Sequence, residues 1–154
     1  MSNPHSSPHG LTRVAVVGSG YMGGGIAQVL ALGGATVSLG DISADIAQKA
    51  YERLVGEAEA YEKAGLFDAG ATEVIRANLS PAASIEEAVR DADYITEAVP
   101  ESREIKFGAL ARVSAAARAD AIIGTNTSAI PINELATSVV NPERFLGVHW
   151  MNPA

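Results

Sequence analysis

Cysteine is absent from all 154 residues, so the fold has neither a disulfide nor a thiolate metal site available to it. Basic residues are in the minority. Eleven Lys and Arg against eighteen Asp and Glu give a net charge of −7. That balance excludes nucleic acid and anionic membrane as partners, since both require a basic face. No stretch reaches the roughly 18 consecutive apolar residues that a membrane-spanning helix needs. The opening segment, MSNPHSSPHG, has no apolar core and no basic run, so it matches neither a signal peptide nor a transit segment. A cytoplasmic location is expected, with residues 1–11 as a frayed, disordered tail. His5 and His9 lie in that tail without a fold around them, and no metal site is expected. No internal repeat and no low-complexity region interrupts the remainder.

What is present is an alternation. The length suits one domain, expected over residues 12–154, and 47% apolar content supports a sizeable core. RVAVV (13–17) reads as a buried strand. Residues 21–32 read as a helix stopped by Gly33-Gly34. TVSLG (36–40) is a second strand, followed by a helix from about Ser43 to Lys63 with Ile46, Ala50, Leu54, Ala58 and Tyr61 on one face. A shorter helix over 71–78, an extended segment at 79–84 and a helix at 85–92 come next. YITEAV (94–99) is a strand, and residues 101–118 are a helix with Ile105, Leu110 and Val113 facing inward. AIIGT (121–125) is a strand, Pro131 opens a helix to about Ser138, and FLGVHW (145–150) is the last strand. Strands alternating with helices predict an α/β fold of the Rossmann type: a doubly wound, mainly parallel sheet with helices on both faces.

In such a sheet, ligands sit beyond the carboxyl ends of the strands. At those ends the sequence places Gly18-Ser19-Gly20, then Asp41, then Pro100-Glu101, then Asn126-Thr127-Ser128, then His149 and Asn152. The first of these is a dinucleotide motif. Gly18, Gly20 and Gly23 match G-x-G-x-x-G between a strand and a helix, with Ser19, Tyr21 and Met22 completing the loop. The glycines allow the tight turn, the approach of a pyrophosphate and close helix–strand packing. Asp41, 18 residues beyond Gly23, is placed to accept both adenosine-ribose hydroxyls and to repel a 2′-phosphate. The next residues, Ile42 and Ser43, are not basic. NAD is therefore favoured over NADP. Glu97 reads as the exit of its strand into the crevice rather than as a catalytic group.

GSGYMGGGIA, ITEAVPE, TNTSAI and ERFLGVHWMNP, in this order, make the chain resemble the NAD-binding half of L-3-hydroxyacyl-CoA dehydrogenases over nearly all of residues 12–154. The resemblance implies oxidation of a 3-hydroxyacyl-CoA to the 3-ketoacyl-CoA. His149 would be the acid/base, a role suited to an imidazole, which works both ways near neutrality. Ser128 would bond the substrate oxygen beside the nicotinamide, and Asn152 would position cofactor and reacting group. Glu101 and Lys106 would contact NAD.

The family also has a glutamate about a dozen residues beyond the histidine, and a helical domain that completes the site and forms a homodimer. The chain ends five residues after His149, so it is expected to be the cofactor half alone, a monomer and nearly inactive by itself. Glu134 lies in a helix away from the strand end and is a poor substitute for that glutamate. Trp150-Met151 replaces the family's usual two phenylalanines, as in relatives that oxidise non-CoA compounds such as pyridine alcohols. A hydroxy-acid substrate and a non-catalytic NAD-binding module are the other readings.

Overall fold

Short β-branched runs form the middle layer of the structure, a computed structural model that describes residues 12–152. The tail with His5 and His9, and residues 153–154, lie outside the described residues. The elements in order are β1 (Arg13–Val17), α1 (Tyr21–Leu32), β2 (Thr36–Gly40), α2 (Ala44–Lys63), α3 (Ala71–Asn78), β3 (Leu79–Pro81), α4 (Ile85–Val89), β4 (Tyr94–Glu97), α5 (Arg103–Ala116), β5 (Ile122–Thr125), α6 (Ile132–Ala136), a 3₁₀ turn (Pro142–Arg144) and β6 (Phe145–Gly147). All strand pairs are parallel, in the order β3-β2-β1-β4-β5-β6. From β1 the chain winds outward to β3, then returns to β4 on the other side of β1. The connections at β1 and β4 therefore leave in opposite directions, and their carboxyl ends open a crevice.

The period-two alternation of strand side chains builds two cores. Val16, Val37 and Leu39 face α1, α2 and α3, packing with Ile26, Leu54 and Ile75. Ala15, Val17, Ile95 and Ile123 face the opposite layer, with Ile85, Val89, Leu110, Val113 and Leu135. None of the described helices is long and apolar enough to cross a membrane.

Several boundaries are tighter than the sequence pattern predicts. β4 stops at Glu97 and β6 at Gly147, so His149 lies on the segment beyond β6, not within the strand. α4 ends at Val89 and α5 spans Arg103–Ala116. Pro131 caps α6 instead of opening its first turn. Ile46 and Ile105 are exposed, not core: Ala47 takes the buried place on α2, while both isoleucines turn toward the crevice.

Glu62, near the end of α2, holds the start of α3. Its carboxylate accepts the Gly70 amide at 2.8 Å, the Thr72 amide at 3.0 Å and the Thr72 hydroxyl at 2.7 Å. The Gly70 amide, then the two Thr72 donors, lower its pKa to about 2. A carboxylate whose folded pKa is depressed stabilises the fold above its ordinary pKa and loses that contribution as pH falls through the folded value. Glu62→Gln is therefore expected to lower the melting temperature near pH 7, with the difference from wild type closing as pH falls toward about 2. Thermal unfolding followed by circular dichroism across that range checks this. A gap independent of pH would contradict it.

Candidate active site

The glycine loop leaves β1 through a backbone that only glycine accommodates. Gly18 has φ +95°, and a Cβ there would stand 2.7 Å from the Ala98 backbone. Its amide is held by the Gly40 carbonyl at 2.9 Å, which fixes the turn to the end of β2. A Cβ on Gly23 would sit 1.8 Å from the Gly18 carbonyl oxygen, whereas a Cβ on Gly20 would meet nothing within 4 Å. Gly23 is thus a close-packing position, and Gly20 is the open face of the cradle. Gly20 caps α1 without a side-chain bond, and the first turn carries no acid. The free amides and the positive helix end therefore remain available to an anion. These features fit the pyrophosphate of a dinucleotide.

The loop opens into a crevice of about 1370 Å³ bounded by the carboxyl ends of β1, β2, β4 and β5. Gly18 to Met22, Asp41, Glu101 and Ser128 all line it. Asp41 is pinned: one oxygen accepts the Ser19 amide at 2.8 Å and the Ser19 hydroxyl, and the other accepts the Ile42 amide at 2.7 Å. The same Ser19 is held from its other side, its carbonyl accepting Arg53 Nη2 at 2.9 Å.

The opposite wall rests on a buried ion pair. Glu97, fully buried, does not exit into the crevice. It meets the Lys106 ammonium at 2.8 Å and also accepts the Val99 amide at 2.7 Å and the Thr125 hydroxyl at 2.5 Å. Lys106, expected at the cofactor, is also inside this wall, 1% exposed, donating to the Val99 carbonyl at 3.1 Å and lying 3.6 Å from Glu101. Burying a charge is tolerated because each is paired and hydrogen-bonded. Any influence of Lys106 on a ligand passes through Glu101 and the loop after β4.

Glu101 spans the crevice floor. One of its oxygens accepts the Thr127 hydroxyl at 2.6 Å and the Ser128 and Ala129 amides at 3.1 Å each. Desolvation works to raise its pKa, but the Thr127 hydroxyl, the Ala129 amide, the Lys106 charge and the Ser128 amide together bring it below the usual carboxylate value. Glu101 so fixes the turn carrying Ser128, whose Oγ lies 3.2 Å from His149 Nε2. Asn126 fixes the other half, its side-chain oxygen accepting the Trp150 amide at 2.8 Å. Ser128 and His149 are both exposed, open to a substrate. Asn152 is exposed two residues beyond Trp150. Glu134 pairs with Arg103 at 2.9 Å, which occupies it away from His149.

The fold therefore gathers the glycine loop, Asp41, Glu101, Ser128 and His149 at one sheet edge, and sets Lys106 behind that edge. The sequence places Asn126 at the strand end but does not reveal its hold on Trp150, which joins residues 24 positions apart. Arg53 is the one contributor that the sequence pattern does not single out. Arg53 follows Lys49 by one helical turn, on the face of α2 that carries Ile46 and Ala50 into the crevice, and that spacing was the available signal. Among the described residues no group of three His, Asp or Glu is arranged to hold a metal ion.

A family model described as 3-hydroxyacyl-CoA dehydrogenase, NAD binding domain, matches residues 13–154. The chain is 37% identical over 141 residues to 3-hydroxyadipyl-CoA dehydrogenase of Escherichia coli (strain K12), covering 92% of the chain and 30% of that protein. It is 38% identical over 144 residues to an L-carnitine dehydrogenase/betainyl-CoA thioesterase of Rhizobium sp, covering 93% of the chain and 28% of that protein. The crystal structure of 3-hydroxybutyryl-CoA dehydrogenase from Escherichia coli K12 superposes with a TM-score of 0.84 at 36% identity, over 94% of this chain and 30% of that one. A 5-formyl-3-hydroxy-2-methylpyridine 4-carboxylic acid 5-dehydrogenase, described as an NAD+-dependent dismutase, superposes with a TM-score of 0.76 at 32% identity, over 93% of this chain and 45% of that one. The chain thus spans less than half the length of these relatives.

Proposed function

The chain belongs to the family of NAD-binding domains of 3-hydroxyacyl-CoA dehydrogenases, and from that premise we propose that it carries the cofactor site and the acid/base pair of an NAD-dependent dehydrogenase acting on a CH–OH group. The substrate favoured is a 3-hydroxyacyl-CoA, oxidised to the 3-ketoacyl-CoA. NAD, when bound, supplies the hydride acceptor. Gly18 to Gly23 hold its pyrophosphate against the start of α1, Asp41 takes its adenosine-ribose hydroxyls, and Asn152 steadies the reacting end.

The observation that carries the reading is the 3.2 Å separation of Ser128 Oγ and His149 Nε2 at the carboxyl edge of the sheet. A substrate hydroxyl oxygen within hydrogen-bond reach of both groups would be oriented by Ser128 and would give its proton to His149 while the carbon-bound hydrogen leaves as hydride for the cofactor; in reduction His149 would return the proton. Glu101 and Asn126 serve as positioning residues. Glu101 holds the Ser128 turn by three bonds, and Asn126 holds the backbone next to His149.

A second reading keeps the chemistry and changes the substrate to a CoA-free hydroxy compound. Trp150-Met151 beside His149 favours it, and so does similarity to proteins named for L-carnitine and for a pyridine carboxylic acid. The test follows NADH formation by the full-length protein from L-3-hydroxybutyryl-CoA and from a panel of CoA-free alcohols. Turnover is expected with the thioester. Turnover confined to the CoA-free panel would establish the second reading, and none with any substrate would leave a module that binds NAD without chemistry.

A further inference from the structure

The face of α2 that borders the crevice carries two cations, Lys49 and Arg53, one helical turn apart. Arg53 enters the site described above only as a support for the Ser19 carbonyl, and Lys49 has no part in it. The loop just after β2, where a basic residue would ordinarily meet a ribose phosphate, holds Ile42 and Ser43 instead. Arg53 reaches the same place from the helix. Its Nη2 donates to the Ser19 carbonyl at 2.9 Å, and Ser19 donates its amide to Asp41 at 2.8 Å. The guanidinium and the Asp41 carboxylate thus grip one residue from two sides. A Cβ on Gly24 would come within 3.1 Å of Arg53 Nη2, so the guanidinium lies against the first turn of α1. Its Nη1 is bound to Glu57 at 2.8 Å, and the side chain stays 41% exposed.

We propose that Arg53, backed by Lys49, is a latent site for the 2′-phosphate of an NADP-type cofactor, held closed by the Asp41 carboxylate. The inference rests on the assignment of the crevice to a nicotinamide dinucleotide. Asp41 binds a ribose through its 2′ and 3′ hydroxyls, and an added 2′-phosphate would face this carboxylate at close range. With the carboxylate gone, the charged side chains that α2 contributes to the crevice lining are Lys49, paired with Asp45 at 2.8 Å, and Arg53, paired with Glu57 through Nη1 only, and a guanidinium is suited to phosphate. The preference for NAD is then carried by a single side chain.

The test compares NADH and NADPH affinity in the 154-residue chain, read by quenching of its single tryptophan. The ratio of the two affinities is used because general damage to the loop affects both cofactors alike. Wild type is expected to favour NADH. Asp41→Ser is expected to raise the NADPH:NADH affinity ratio by roughly tenfold or more, and adding Arg53→Gln to remove most of that gain. Glutamine keeps a donor for the Ser19 carbonyl and deletes the charge. Asp41→Asn serves if the serine variant does not fold. Arg76→Gln on α3, remote from the crevice and paired with Glu59 and Glu73, controls for net charge and is expected to leave the ratio of Asp41→Ser unchanged.

An Asp41→Ser gain that survives Arg53→Gln, or one equally sensitive to Arg76→Gln, would overturn the inference, as would no gain at all. If wild type binds neither cofactor, the cofactor assignment itself fails, and wild type alone shows this.

Discussion

Gly23→Ala abolishes measurable NADH binding and lowers stability: this is the expected result of adding one methyl group at the tightest point of the structure. The new Cβ would lie 1.8 Å from the Gly18 carbonyl oxygen, well inside contact distance. No rotamer relieves a backbone clash of this kind. α1 must move away from β1, and with it the amides that face the pyrophosphate. Overpacking of this sort costs about 1–3 kcal/mol of stability, occasionally more. The loss in affinity is expected to exceed roughly tenfold, about 1.4 kcal/mol. Gly56→Ala is the matched control, since a Cβ there meets nothing within 4 Å. In the middle of α2 it is expected to stabilise by about 0.5–1 kcal/mol and to leave binding intact. Equal affinity for Gly23→Ala and wild type would mean that the loop does not cradle the dinucleotide.

His149→Ala is expected to reduce turnover by about 10²–10⁴-fold, the usual share of a positioned acid/base, while NADH binding survives. The separation of effects follows from geometry. The loop and Asp41 hold one end of the crevice, and His149 touches Ser128 at the other. Ser128→Ala is expected to cost less, because it removes an orienting bond and not the proton acceptor. The measurement is NADH formation by the full-length protein, paired with NADH titration of each variant. The 154 residues on their own are expected to turn over slowly even with His149 in place. Ser128 and His149 are both exposed, so water competes at the reacting atoms. Positioning is worth roughly 7–11 kcal/mol of barrier, and losing half of it removes several orders of magnitude in rate. Rapid turnover by these residues alone would contradict this.

Much of this site is legible in the sequence because it depends on local pattern. The glycine spacing, the acid after the second strand and the polar residues at each strand end are set by the periods of strand and helix, and the sheet brings them together as its topology requires. What sequence spacing does not carry is the direction of a side chain with a partner far away. Glu97 reads as an exit residue because an acid at a strand end ordinarily seeks water. Its partner Lys106 lies nine residues on, across a loop and one turn into α5, and their mutual charge allows both to be buried. Ile46 and Ile105 read as core because helical periodicity marks an apolar face without distinguishing a core from a crevice wall. The exit from β6 is a similar case: FLGVHW alternates like a strand, but the strand ends at Gly147, the Val148 amide makes a last bond to the Thr125 carbonyl at 3.0 Å, and Asn126 then takes the Trp150 amide.

Binding of NAD in this crevice, beside the Ser128–His149 pair, is read out by titrating the 154-residue chain with NADH and NADPH. Trp150, the single tryptophan, adjoins His149, so emission from the indole reports occupancy of that end through energy transfer to the reduced nicotinamide. Saturable quenching by NADH is expected, with tighter binding than NADPH. Absence of saturable quenching, or tighter binding of NADPH by the wild-type chain, would contradict it.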